Sequence, residues 1–198
     1  IMVYQMQYEL VKTQQRGGGR MEEENIFLAN RPKITLEDYL GYNCSGRGNL
    51  GEDVPVFVYR MLEYSLKEIL SETYGKDVQV ELFRKAGFKA GTFFARKILD
   101  TGLEFNAFVA QLQQKLQEMK IGVMRIEELD LERGRIILTV SEDADCSGLP
   151  VLGETVCNYD EGFISGILTE YTGTLFTAVE VDCWATGDRV CRFRVESE

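Results

Sequence analysis

Residues 179–193 read V-E-V-D-C-W-A-T-G-D-R-V-C-R-F, two strand-like segments on either side of the turn signal A-T-G-D. The pattern predicts a β-hairpin, with arms Thr174–Trp184 and Arg189–Val195. A three-residue loop of Thr186, Gly187 and Asp188 would pair Ala185 with Arg189 and set Cys183 opposite Cys191. Opposed Cβ atoms lie about 4.5–5.5 Å apart, within reach of one shared metal ion. Glu180, three residues before Cys183, points to the other face of a regular strand. It joins the cysteines only where the strand twists, bulges or ends.

Immediately upstream, C-N-Y-D-E-G-F-I-S-G-I-L (157–168) predicts a helix with Asn158 as its cap and Glu161 at the third position. Phe163, Ile164, Ile167, Leu168 and Tyr171 form its apolar stripe. Cys157 at its start gains thiolate stabilisation from the helix dipole. The full spacing is C-x22-E-x2-C-x7-C, with Cys146 a short way upstream, and the chain contains no histidine. A transition-metal site here must therefore use thiolate and carboxylate, a donor set that suits zinc. The fourth position is open between Glu180 and Cys146. Buried hydrophobic thiols, or a Cys183–Cys191 disulfide, are the alternatives. The absence of C-x-x-C argues against thioredoxin-like redox chemistry, and Cys44, far from the others, reads as a spare buried thiol.

Further out, residues 2–12 alternate as a half-buried strand, R-G-G-G-R (16–20) reads as a hairpin tip, and 36–53 is glycine-rich and irregular. Three helices follow. The first runs from Pro55 to about Tyr74, with Phe57, Met61, Leu62, Leu66, Ile69 and Leu70 on one stripe. The second covers about Val80–Asp100 and carries Gly87 and Gly91, where a missing side chain admits close approach of another element. The third spans about Glu104–Met119, with Phe105, Phe108, Leu112 and Leu116 inward. Val123–Glu128 and Arg135–Val140 then alternate as strands around a turn at Glu132–Gly134. Helices in the middle and strands at both ends predict an α+β fold, an antiparallel sheet packed against a helical layer. The expected organisation is an arm over 1–50 and a domain over 51–198.

The 198 residues carry 22 Lys and Arg against 32 Asp and Glu, a formal charge of −10, which disfavours nucleic acid and anionic membrane surfaces as partners. The start, I-M-V-Y-Q-M-Q-Y-E-L, has neither a basic n-region nor an apolar h-region. With an odd cysteine count, this predicts a cytoplasmic protein with free or metal-bound thiols. Without histidine, Ser-His-Asp and Cys-His hydrolysis are excluded within this chain.

From about Val54 to Val195 the chain resembles the 4-vinyl reductase domain family. The match rests on C-x-Y-x-x-G-F-x-x-G at 157–166 and E-x-x-C-x-x-x-G-x-x-x-C-x-F at 180–193, with F-x-x-x-G-x-x-x-G at 83–91 as a weaker element. The resemblance implies the α+β ligand-binding fold shared by nitric-oxide sensors and a vesicle-transport subunit. It also implies a zinc ion held by Cys157, Glu180, Cys183 and Cys191, and a homodimer. Family members include aromatic-sensing domains and a protein linked to bacteriochlorophyll 4-vinyl reduction. Phenol sensors use pocket histidine and tryptophan, whereas this chain has no histidine and only Trp184, and the haem-ligating histidine of the nitric-oxide sensors is missing too. The leading expectation is a non-enzymatic protein that binds a hydrophobic small molecule. Its structural zinc would support an apolar pocket, for which Phe83, Phe88, Phe93, Phe94, Phe105 and Phe108 are candidates. A tetrapyrrole vinyl reductase or accessory protein, and a ligand-free dimerising scaffold, are the alternatives. A reductase would need an external hydride source, since no G-x-G-x-x-G follows a strand.

Overall fold

The computed structural model describes residues 35–40, 47–130 and 133–198. The strand expected at 2–12, the R-G-G-G-R tip, Cys44 and residues 131–132 of the β-turn lie outside them. Two compact units comprise residues 1–43 and 44–198. In the first, a single helical turn, Leu36–Tyr39, is capped by Thr35, whose backbone N and Oγ1 both donate to Asp38 Oδ2. The second unit carries everything that follows.

Four helices and four strands build it: α1 (Val56–Tyr74), α2 (Lys76–Ile98), α3 (Phe105–Glu118), β1 (Val123–Asp130), β2 (Arg135–Ser141), α4 (Asn158–Thr172), β3 (Phe176–Asp182) and β4 (Cys191–Ser197). The strands form one antiparallel sheet in the order β1-β2-β4-β3. The expected α+β arrangement of an antiparallel sheet against helices is therefore the one observed. Met124, Ile136, Leu138, Val140, Phe193 and Val195 from the sheet meet Phe108, Leu112 and Leu116 of α3 and Ile164, Ile167 and Leu168 of α4 in one core.

Two devices fix α4. The first is a reciprocal glycine crossing with α2. A Cβ on Gly87 or Gly91 would sit 1.9 or 2.1 Å from the carbonyl oxygens of Tyr159 and Phe163. A Cβ on Gly162 or Gly166 would sit 1.9 or 2.2 Å from those of Arg84 and Phe88. Two G-x-x-x-G faces thus bring the helix backbones into contact, and the close approach expected at Gly87 and Gly91 is what α4 makes.

The second device closes the sheet edge. The N–H groups of Phe176, Ala178 and Glu180 on β3 donate to Thr169 Oγ1, Ser165 Oγ and Glu161 Oε1 of α4, at 3.0, 2.9 and 2.9 Å. Four residues of helix rise about 6 Å and two of strand about 6.8 Å, so the two ladders stay in step. An edge that would otherwise offer free donors to another chain is covered. Glu161 is consumed by this task. It also pairs with Arg84 at 2.5 Å, and so does not complete a capping box with Asn158. Cys157, not Asn158, stands at the N-cap.

The first helix departs from its expected packing. The buried residues of α1 are Glu63 and Lys67, while Phe57, Met61, Leu62, Leu66 and Ile69 on the predicted apolar stripe are exposed, Leu62 at 70% and Phe57 at 69%. The helix turns its polar face inward. The polar groups it meets there supply the physical reason. Among the described residues, no helix is long and apolar enough to cross a membrane.

Candidate functional site

Four segments deliver four buried cysteines to one point: the β2–α4 connection (Cys146), the α4 N-cap (Cys157), the β3–β4 connection (Cys183) and the first residue of β4 (Cys191). Their sulfurs all lie within 4.8 Å of one another. Cys157 Sγ is 3.9 Å from Cys183 Sγ and 3.7 Å from Cys191 Sγ, and Cys146 Sγ is 3.1 Å from Cys191 Sγ. None is disulfide-bonded.

Cys183 and Cys191 meet by a different route from the expected one. The strands pair Glu180 with Phe193 and Asp182 with Arg192, across a register shift between Glu180 and Asp182. Cys183 then leaves the strand and caps a short 3₁₀ turn, Trp184–Thr186, where its N–H donates to Thr186 Oγ1. The tight three-residue hairpin loop is thus replaced by a longer connection, stabilised within itself. The same irregularity meets the condition set for Glu180, whose side chain is buried. Its Oε2 accepts the Cys157 N–H at 3.0 Å, and its Oε1 has no hydrogen-bond partner. Burial, and then the negative charge of Cys183, push the Glu180 carboxyl up to about 8.

The thiols are strongly coupled. The neighbouring thiols, Cys146 first, hold the Cys183 thiol below the usual value, while Cys157 and Cys191 are raised, first by Cys146. A divalent cation would stabilise the thiolate forms. The donor chemistry fits such an ion: zinc–sulfur bonds of about 2.3 Å in a tetrahedron give S···S edges of about 3.8 Å, close to the two distances at Cys157, while Cys146 and Cys191 at 3.1 Å stand closer than such an edge. The unpartnered Glu180 oxygen offers one more donor beside them.

Beside the thiols lies a second buried cluster that the sequence reading did not anticipate. Asp143 and Asp145, on the connection to Cys146, are 3% and 2% exposed. With part-buried Asp160 of α4 and Glu63 of α1, they place four carboxyls together. Burial raises all four, Glu63 and Asp143 to about 7; repulsion between carboxyls adds to it at Glu63, Asp143 and Asp160, whereas at Asp145 the Tyr59 hydrogen bond and then Lys67 oppose it. The polar face of α1 answers this charge. Tyr59 Oη donates to Asp145 Oδ1 at 2.5 Å and Tyr64 Oη to the Asp145 carbonyl at 3.0 Å. Lys67 pairs with Glu63 and donates to the Val156 carbonyl, and Arg60 holds the carbonyls of Asp143, Ala144 and Ser147. The one local signal was Asp143-Ala144-Asp145 set directly before Cys146.

Two spaces adjoin this cluster. An apolar cavity of about 50 Å³ lies among α3, α4 and the sheet, with Asp143 and Asp160 the carboxyls in its lining. A cleft of about 440 Å³ lies beside it, lined by Tyr59, Phe94, Tyr159 and Phe163 together with Asp145 and Asp160. Ile121, Asp160 and Phe163 line both.

The six phenylalanines proposed for one pocket are dispersed. Phe105 and Phe108 line the cavity, Phe94 the cleft, and Phe88 a separate groove beside β3. Phe83 is buried beneath the Lys67 ammonium, 5.1 Å from its ring centre, and Phe93 lines none of these spaces.

Residues 136–197, which hold both arms of the β3–β4 hairpin, α4 and all four clustered cysteines, match the V-4-R (4-vinyl reductase) domain. That match covers the cysteine motifs at 157–166 and 180–193 and leaves the glycine motif at 83–91 outside it. An uncharacterised protein of Methanocaldococcus jannaschii is 22% identical over 92% of this chain and 96% of its own length. A second from the same organism is 27% identical over 63% of this chain and 81% of its own length. Among solved structures, a vinyl-4-reductase family protein from Methanocaldococcus jannaschii superimposes with TM-score 0.56 at 16% identity, covering 92% of this chain and 99% of that one. The phenol-responsive sensory domain of the transcription activator PoxR, solved with phenol, gives 0.56 at 15% identity over 73% and 75%. A trafficking protein particle complex subunit 3 from Naegleria fowleri, covalently bound to palmitic acid, gives 0.57 at 14% over 72% and 95%. These neighbours share the fold.

Proposed function

We propose that this chain is a small-molecule-binding, sensor-type domain whose pocket is braced by a structural zinc ion. Cys146, Cys157, Cys183 and Cys191 would hold the ion. The sequence resemblance assigned the fourth position to Glu180; the convergence of sulfurs favours Cys146 there, with the Glu180 carboxyl alongside. The zinc would be a closed, non-reacting centre, since four protein donors leave no position for substrate. Its contribution is to lock four segments together.

The observation that carries this reading is shared scaffolding. The stretch Asp143–Cys146 and the first turn of α4 supply two of the sulfurs and also the carboxyl-bearing walls of the cavity and cleft. Likeness in fold to a domain solved with phenol and to a subunit carrying palmitate supports a hydrophobic small molecule as ligand. The test is native mass spectrometry of protein purified under reducing conditions. Zinc with a co-purified organic molecule is the expected result; zinc alone would favour a scaffold role, and no zinc would remove the metal assignment.

The outward apolar face of α1 favours one addition. We infer that it pairs with a second copy of this chain, giving the homodimer expected from the resemblance. Light scattering should show a dimer that Leu62→Glu converts to monomer, and a monomeric parent protein would refute the pairing.

A further inference from the structure

The cleft beside the carboxyl cluster has walls of one chemistry and charge of one sign. Phe94 and Phe163 meet edge to face with ring centres 5.3 Å apart, and Tyr159 stacks on Phe163 at 6.4 Å. Glu52, Asp53, Asp145 and Asp160 line the same space, with Lys120 the one cation among its lining residues. Lys120 is engaged by Asp53 at 3.0 Å.

Inside, four carboxyls (Glu63, Asp143, Asp145 and Asp160) face two cations. Lys67 is bound to Glu63, and Arg60 donates to backbone carbonyls. Among the described residues, no cationic side chain hydrogen-bonds Asp143, Asp145 or Asp160. Asp145 is 2% exposed, lines the cleft and leaves Oδ2 without a partner. A buried carboxyl in this condition is costly unless a donor of opposite charge reaches it. Aromatic faces around such a carboxyl attract an ammonium group through the ring quadrupole.

We propose that this cleft binds a protonated organic amine bearing an apolar substituent, its ammonium directed to Asp145 and Asp160 and its apolar part held against Phe94, Tyr159 and Phe163. The inference rests on the small-molecule reading above and names the ligand class for that site. Size agrees with it. A cavity of about 150 Å³ is enough for benzene, so the cleft of about 440 Å³ takes a substituted ring. The inner cavity, at about 50 Å³, does not. The charge excludes the opposite class, since a carboxylate-headed ligand would meet Asp145 and Asp160 with like charge.

Titration calorimetry with benzylamine, benzyl alcohol and benzoate on the metal-replete protein tests this on one carbon frame. Benzylamine should bind about tenfold or more tighter than benzyl alcohol, benzoate should not bind, and Asp145→Asn should abolish the preference for the amine while leaving metal content unchanged. Equal or tighter binding of the alcohol or the benzoate overturns the amine assignment, as does failure of all three to bind. A co-purified ligand without a basic nitrogen would overturn it too, yet leave the small-molecule reading standing. Should Asp145→Asn not fold, the ligand series on the parent protein decides alone.

Discussion

The thiol cluster and the carboxyl cluster share two segments, the stretch Asp143–Cys146 and the start of α4, yet they are stabilised in different ways. Two of the carboxyls are bonded from within the chain, Asp145 by Tyr59 and Glu63 by Lys67, while Arg60 and Tyr64 on the same helix hold the backbone carbonyls beside them. No cationic side chain hydrogen-bonds the thiols among the described residues; Lys67 acts on Cys157 only through its charge, and their hydrogen-bonding neighbours are one another and, through the Cys157 N–H, Glu180. A helix thus answers the carboxyl cluster in part, leaving Asp145 Oδ2 without a partner, whereas the thiols offer a donor set for an ion. That difference also explains α1. A helix recruited to satisfy buried polar groups must turn its polar face inward, and its apolar stripe is then exposed, the face on which the proposed second copy would pack.

Removing what completes each cluster should therefore have unequal effects. The largest belongs to the thiols. Chelation, or Cys157→Ser, should lower the melting temperature by on the order of 10 °C or more, because metal binding energy is folding energy at such a site. A shift of only a degree or two, measured by calorimetry, would reduce the cluster to packed hydrophobic thiols.

Next comes the carboxyl cluster. Lys67→Met should cost about 3–5 kcal/mol by stranding Glu63 in the interior, and the double variant Lys67→Met/Glu63→Leu should recover much of that loss. Denaturant titration of both variants checks it. Equal stability of the single and double variants would show that the pair is not coupled.

Acidity sharpens the contrast further. Glu63 is raised from the usual carboxylate range to about 7, chiefly by burial and then by Asp145. The folded state holds this proton more tightly than the unfolded chain, so its contribution is fully present below about pH 4.5 and is lost as pH rises through about 7. Glu63→Gln should flatten the stability profile over that window, and an unchanged slope would contradict the assignment. The smallest effect is expected on the outer face of α1. Leu62→Glu should change monomer stability by no more than about 0.5 kcal/mol, since an exposed side chain leaves no cavity.

The sequence made the helices and strands of the second unit readable because their apolar periods are strong. It also made the cysteine spacing and the Gly87/Gly91 approach readable, because each depends on residue type at fixed intervals. The orientation of α1 was not readable. A stripe identifies one face of a helix, but what lies opposite that face is a tertiary fact, here Asp143, Asp145 and Asp160 arriving from far along the chain. Those aspartates were not singled out from the sequence, since the only local mark of their burial is Asp143-Ala144-Asp145 set directly before Cys146. The route of Cys183 was missed for a related reason. The turn signal A-T-G-D is compatible with a tight loop, and the register shift after Glu180 that moves Cys183 out of the strand depends on pairing with β4. Gly162 and Gly166 were visible, and setting them against Gly87 and Gly91 would have identified the α2–α4 crossing.

The metal content of the protein tests the account most directly. X-ray absorption at the zinc edge, on protein purified under reducing conditions without added metal, should show one zinc per chain with four sulfur neighbours at about 2.3 Å. Three sulfurs and one oxygen would return the fourth position to Glu180. Protein without zinc, with Cys146, Cys157, Cys183 and Cys191 all free to react with a thiol reagent on unfolding, would contradict the central claim.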